Sequence, residues 1–232
     1  MTRTLQHIIP SSAPKTSNTL VYPALFEDVP EVRFRRGDIL SLGSPHYVYL
    51  IVLGMVKQSM LHGDREVFDD YVQAGEFING EILFDEVTGL CRSTVLADNT
   101  VVKKIPTHLF LQEARANQEI VRSVMKSLRV ANRRSKERAK SLSLLKSEQR
   151  IIHFLLSYAQ RSGQKVGFEL MIKPVLTHEE IGQITSTSRQ TVTTVLNDLR
   201  RGNYIHFNRR YLLIRDLKKL TALLDYPLEV LA

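Results

Sequence analysis

The stretch LTHEEIGQITSTSRQTVTTVLNDLRRGNYIHFNRRYLLI, from Leu176 to Ile214, decides the fold of the C-terminal part of this chain. Thr177 and Glu180 stand at capping-box spacing: the hydroxyl accepts the Glu180 backbone N–H and the carboxylate accepts the Thr177 N–H. Ile181 and Ile184 give the short helix that follows one apolar face. Ser186-Thr187-Ser188 breaks it, and Ser188 is a good cap for a second helix. There Val192, Val195, Leu196 and Leu199 recur at helical spacing and predict a buried stripe. Gly202-Asn203 ends that helix. Tyr204 to Phe207 and Tyr211 to Ile214 then flank Asn208-Arg209-Arg210, a hairpin with a basic tip. Helix, turn, helix, hairpin is the order of a winged helix-turn-helix.

The opposite face of the second helix carries Arg189, Gln190, Thr193, Thr194 and Asn197. These residue types read base edges: Arg bonds guanine bidentately, Gln bonds adenine, and a Thr methyl packs on the thymine methyl. Arg189 and Gln190 fall in the first turn, the part of a recognition helix that enters the major groove. Arg209 and Arg210 suit phosphates beside the groove. Thr177, Ser188 and Thr191 complete the candidate DNA-binding set. The competing reading is a ligand-binding β-roll module whose helical domain contacts protein partners and leaves this polar face merely solvated.

Composition narrows the classes. With 232 residues the chain has room for two modest cores, and a net charge of +8 suits a polyanionic partner. Between Arg115 and Arg150 eleven Lys and Arg stand against three Glu. Cys91 is the only cysteine, which excludes an intrachain disulfide and a four-cysteine iron–sulfur cluster. Neither an apolar run of membrane-spanning length nor a signal-peptide pattern is found, so a cytoplasmic protein without membrane contact is expected. Residues Pro10 to Thr19 read as a flexible lead-in. Nucleophile–base pairs, metal-ligand spacing and phosphate loops are all missing, which argues against an enzyme. His46, His62 and His108 are scattered and read as surface residues rather than haem ligands.

From about Val32 to Ile105 short β-branched and aromatic runs alternate with glycine turns, as in a sandwich or β-roll. The segments EEIGQI, TSRQTV and VLNDL, together with RRGDIL, YLIVLGMVK and AGEFI, resemble the Crp/Fnr family of bacterial transcription regulators. The resemblance runs from roughly Val32 onward. It implies an α+β chain: an N-terminal cyclic-nucleotide-binding-like β-roll (jelly roll), a long dimerisation helix and a C-terminal winged helix-turn-helix. Arg189 matches the family's guanine-reading Arg, whereas Gln190 and Thr194 depart from the cAMP receptor and point to a different operator.

The same resemblance implies an effector site. Gly80-Glu81-Ile82 matches the motif that supplies a ribose carboxylate, and Arg92-Ser93 the phosphate clamp, so cAMP or another cyclic nucleotide is the candidate effector. The spacing from Glu81 to Arg92 is one residue longer than in the cAMP receptor, and the adenine-contacting pair falls near Ala131-Asn132. The alternative is an inherited scaffold in which Glu81 and Arg92 form an ordinary ion pair.

No Pro or Gly interrupts Asn117 to Leu145. Val121, Val124, Leu128, Ala131, Ser135, Arg138, Leu142 and Leu145 step by threes and fours, the pattern of a heptad seam with a weak centre. The expected organisation is therefore a β-roll sensor over 1–116, a dimerisation helix over 117–145 and a DNA-binding domain over 146–232. The expected partners are a second copy of the chain, a near-palindromic DNA operator and, by resemblance, RNA polymerase.

Overall fold

The computed structural model describes residues 24–43, 45–84, 90–173 and 176–225. The lead-in expected over Pro10 to Thr19 lies outside them. Among the described residues eight strands build the N-terminal part: β1 (Glu31–Phe34), β2 (Ile39–Leu42), β3 (Tyr47–Leu53), β4 (Met55–His62), β5 (Arg65–Gln73), β6 (Phe77–Ile78), β7 (Cys91–Val95) and β8 (Thr100–Pro106). They form two antiparallel sheets, ordered β1-β8-β3-β6 and β2-β7-β4-β5. Tyr49, Ile51, Val56, Ile78, Val95 and Val102 meet between the sheets as a buried core. The period-two alternation of these strands puts one face of each sheet inside. Gly54, at φ +99°, makes the β3–β4 turn in a conformation that L side chains rarely adopt.

Two helices follow, α1 (Thr107–Ala116) and α2 (Gln118–Leu144). They are separated by Asn117, whose extended backbone breaks the helix while its side chain caps α2 by accepting the Glu119 N–H. A second core, with Phe26, Phe77, Phe110, Ile120 and Val124, fastens both helices to the β-roll. Gly80 matters here, because a Cβ at that position would lie 3.2 Å from a Val124 methyl.

The C-terminal part contains α3 (Ser147–Ser162), β9 (Gly163–Val166), β10 (Glu169–Ile172), α4 (His178–Thr185), α5 (Arg189–Arg201), β11 (Ile205–Phe207), β12 (Leu212–Ile214) and α6 (Leu217–Thr221). The expected hairpin is present as β11–β12, but it belongs to a four-stranded sheet, β11-β12-β10-β9. The polar, glycine-marked run through Gly163 and Gly167 carried too weak an alternation to announce β9 and β10. One buried cluster joins this part to the β-roll: Met55, Tyr71 and Leu96 lie in the same core as Phe154, Ile181, Val192 and Leu196.

Candidate nucleic-acid interface

The capping box forms as drawn from the sequence: Thr177 Oγ1 accepts the Glu180 N–H at 3.2 Å and Glu180 Oε2 accepts the Thr177 N–H at 2.6 Å. Glu180 also takes the Arg36 guanidinium at 2.5 Å, an anchor from the loop after β1 that sequence reading missed. Ser186 closes α4 in the left-handed conformation, φ 51° and ψ 49°. Arg150 of α3 donates to the Thr185 and Ser186 carbonyls, both at 2.9 Å, satisfying acceptors freed at the end of α4. Ser188 then caps α5 by accepting the Thr191 N–H at 3.0 Å, and its hydroxyl lies 2.8 Å from that of Thr191.

Val192, Val195, Leu196 and Leu199 are all buried, which fixes the rotation of α5 and turns its opposite face outward. Arg189, Gln190 and Thr194 are exposed there. Thr193 is less free. It is half-buried, its hydroxyl donates to the Arg189 carbonyl at 2.9 Å, and it lies 2.8 Å from His178 Nδ1. Burial, with the Arg189 charge adding, holds the His178 imidazole below its ordinary pKa. Asn197 is also half-buried and accepts from Arg200 at 3.0 Å.

At the wing, Asn208 Oδ1 accepts the Arg210 and Tyr211 N–H groups at 2.7 and 3.0 Å. This side-chain turn leaves Arg209 and Arg210 exposed at the tip. The guanidinium of Arg200 stacks 5.2 Å from the Phe207 ring and ties the recognition helix to the hairpin. An exposed Arg–Gln first turn beside a basic wing is the geometry of a major-groove reader.

Residues 149–223 match the Crp-like helix-turn-helix domain family. The chain is 27% identical over 200 residues to the CRP-like cAMP-activated global transcriptional regulator of Mycobacterium tuberculosis, covering 85% of this chain and 89% of that one. It is 26% identical over 175 residues to the cAMP-activated global transcriptional regulator CRP of Haemophilus influenzae, covering 72% and 75%. Among solved structures the fold is similar to FixK2 from Bradyrhizobium japonicum, with a TM-score of 0.71 at 19% identity over 85% of this chain and 98% of that one. It is also similar to a CRP/FNR-family regulator from Thermus thermophilus, with a TM-score of 0.66 at 21% identity over 85% and 100%. The chain is thus similar along most of its length to Crp/Fnr-type transcription regulators, and residues 149–223 form a Crp-like helix-turn-helix domain. The relatives it matches are transcriptional regulators, not enzymes.

The expected effector residues are not gathered into one clamp. Ser93 and Val95 of β7 point into the sandwich, so Arg92 and Thr94 point to its outer face. Out there Arg92 pairs with Glu66 at 2.8 Å, and Glu66 pairs with Lys57 at 2.6 Å. The alternative, a Glu81–Arg92 ion pair, is therefore corrected as well: Arg92 belongs to Glu66. Glu81 follows Gly80 in a one-turn 3-10 helix with Ile82, half-buried and without an ion pair among the described residues. Burial, reinforced by Asp69, pushes its carboxyl above the ordinary range. Asn132 is exposed on α2. As arranged, these groups do not fit a cyclic nucleotide.

The heptad positions divide between two faces of α2. Val124 is fully buried against the β-roll, as are Ile120 and Ser127. Arg138 donates to the Asp69 carbonyl at 2.5 Å and lies over the Phe68 ring, so it too faces its own chain. Ala131 is half-buried and Leu145 is 5% exposed. Val121 and Leu128 are half-buried, Ser135 and Leu142 are exposed, and Met125, at 57%, is the most exposed apolar residue of the helix. The outward line is thus Val121, Met125, Leu128, Asn132, Ser135, Ala139 and Leu142. It keeps the three–four step, but with Met125, Asn132 and Ala139 where Val124, Ala131 and Arg138 were expected.

Arg134, unremarked in the sequence, is the best-held charge on α2. It is 8% exposed and donates to Asp70 at 2.7 Å and to Glu76 at 2.6 Å. Burial would lower its pKa, but the bonds to the two carboxylates outweigh that and hold it above its ordinary value.

Proposed function

We propose that the chain is a homodimeric, sequence-specific DNA reader that meets a near-palindromic operator with two copies of α5. The observation that carries this is the exposed first turn of α5, Arg189 and Gln190, on a helix capped at Ser188 and flanked by the basic wing. A parallel pair of α2 helices along the Val121–Leu142 line relates the two readers by a two-fold axis. Half-sites are then spaced by about one DNA turn, roughly 34 Å. Selection of bound duplexes from a randomised library tests it. The expected result is an inverted repeat, with a guanine in each half-site that depends on Arg189. Recovery of sequences without symmetry or consensus would instead favour a helical domain that docks on protein partners.

Control by a cyclic nucleotide is a second reading, supported by the names of the cAMP-activated relatives and by Ser93 facing the interior of the β-roll. It requires Arg92 to leave Glu66 and reach the inner face. Calorimetry with cAMP and cGMP on wild type and Arg92→Ala tests this. Binding that disappears in the variant supports the reading, and heatless titrations of both proteins reject it. RNA polymerase contact follows from the family resemblance, and a pull-down of the holoenzyme on operator DNA checks it.

A further inference from the structure

Between β5, α2, α3 and the end of α4 lies a cleft of about 410 Å³, separate from both the β-roll interior and the outward face of α5. A volume of this order lies within the range of small-molecule sites, roughly 300–1,000 Å³. Five arginines line it, Arg133, Arg134, Arg138, Arg150 and Arg161, against two carboxylates, Asp70 and Glu137. Three of the five are committed: Arg134 to Asp70 and Glu76, Arg150 to the carbonyls at the end of α4, and Arg161 to the Ser157 carbonyl and the Tyr71 hydroxyl. Arg133 has no hydrogen bond or ion pair among the described residues, and Arg138 is bonded only to the Asp69 carbonyl. The remaining wall is mixed, with the aromatic Phe68, Tyr71 and Phe154 beside aliphatic Val130 and Ile184 and polar Ser157. Tyr71 and Phe154 meet edge to face, centroids 6.3 Å apart, and Phe68 carries the Arg138 guanidinium on its ring at 5.1 Å.

We propose that this cleft is a binding site for a small anion carrying an aromatic ring. The surplus of positive charge asks for an anion, because guanidinium groups form short bidentate bonds to carboxylate, sulfonate or phosphate. The aromatic and aliphatic lining asks for an apolar ring beside that charge, because burying it there is favourable. The walls come from both halves of the molecule, Phe68 and Tyr71 from the β-roll and Phe154 from the reader domain. An occupant therefore favours one pose of α5 relative to the sheets by whatever affinity it has for that pose over others.

The probe is anilinonaphthalene sulfonate, an aromatic anion whose fluorescence rises on leaving water. The chain contains no tryptophan, so Phe68→Trp installs a single reporter in the cleft wall. The expected result is binding of the probe with energy transfer from that indole. Affinity should fall by about tenfold or more in Arg133→Glu with Arg138→Glu, as for loss of charge-assisted contacts. Binding should be lost in Ser157→Trp, which fills the cleft, and kept in Arg92→Ala, which alters the outer face of the β-roll instead. Thermal melts and circular dichroism of each variant establish that it is folded before titration. Equal affinity of wild type and Ser157→Trp, absence of energy transfer in Phe68→Trp, or no binding to the wild type overturns the proposal.

Discussion

Arg189 sits in the first turn of α5, exposed and with no ion pair to its own chain among the described residues. Nothing has to be broken before its guanidinium reaches a guanine edge. Arg189→Ala is therefore expected to cost roughly 1–3 kcal/mol at one guanine per half-site and little elsewhere. Competition binding with operators substituted position by position measures this, and an equal loss on every sequence would reassign Arg189 to the phosphates. His153 makes a different kind of prediction. Burial, against Glu137 and with help from Arg161 and Lys140, holds its pKa below the ordinary 6.5. The fold favours the neutral ring, so its contribution to stability is fully present above about pH 6.5 and is lost as pH falls through the depressed folded value. Thermal melts at pH 7.5 and 5.5 should show a larger loss for wild type than for His153→Gln. The same loss in both would mean that other groups set the acid response.

At the scale of elements, α4 and α5 were legible because caps, apolar stripe and break all agree locally. Thr177, Glu180 and Ser188 fix helix starts by backbone bonds within three residues, which sequence spacing reports directly. Gly182 adds a close approach: a Cβ there would stand 2.8 Å from the Thr187 carbonyl oxygen, so the turn between the helices needs glycine. Gly182→Ala is expected to cost about 1–3 kcal/mol by overpacking and to weaken DNA binding together with stability, read by chemical denaturation and operator titration side by side. Helix α2 was legible as a helix but not in its rotation. It carries apolar residues on two faces, and periodicity does not say which one its own β-roll takes. Val124 and Arg138 went inward, and Met125 was left out. The direction of Arg92 was hidden for a related reason: a strand residue's face depends on pairing, here with Ser59 of β4, and a motif match does not encode it. If the outward line of α2 is the dimer seam, Met125→Glu places like charges near the two-fold axis. Sedimentation should then show monomers at concentrations where wild type is dimeric, while the melt of each protomer is nearly unchanged.

At the scale of the whole molecule, the two halves are not beads on a helix. Tyr71 of the β-roll packs edge to face on Phe154 of α3, lies beneath the Arg134 and Arg161 guanidinium groups, and shares a core with Met55, Leu96 and the reader's apolar residues. Arg36 reaches across to Glu180, and Gln73 donates to the Ser162 hydroxyl at 2.7 Å. The Arg36–Glu180 pair is partly exposed and on its own contributes little, about 0–1 kcal/mol. The buried aromatic contact is worth more, because truncating a core ring typically costs about 3–5 kcal/mol through lost burial and the cavity left behind. Coupling of that size makes the β-roll and the helix-turn-helix domain unfold together. Calorimetry of the wild type should therefore show one cooperative transition, with calorimetric and van't Hoff enthalpies in agreement. Tyr71→Ala removes the ring where the two cores join and leaves each core otherwise complete, so the same scan should broaden or split into two transitions. Two transitions already present in the wild type would mean that the shared cluster does not couple the domains, and that the reader moves on the β-roll without help from an effector.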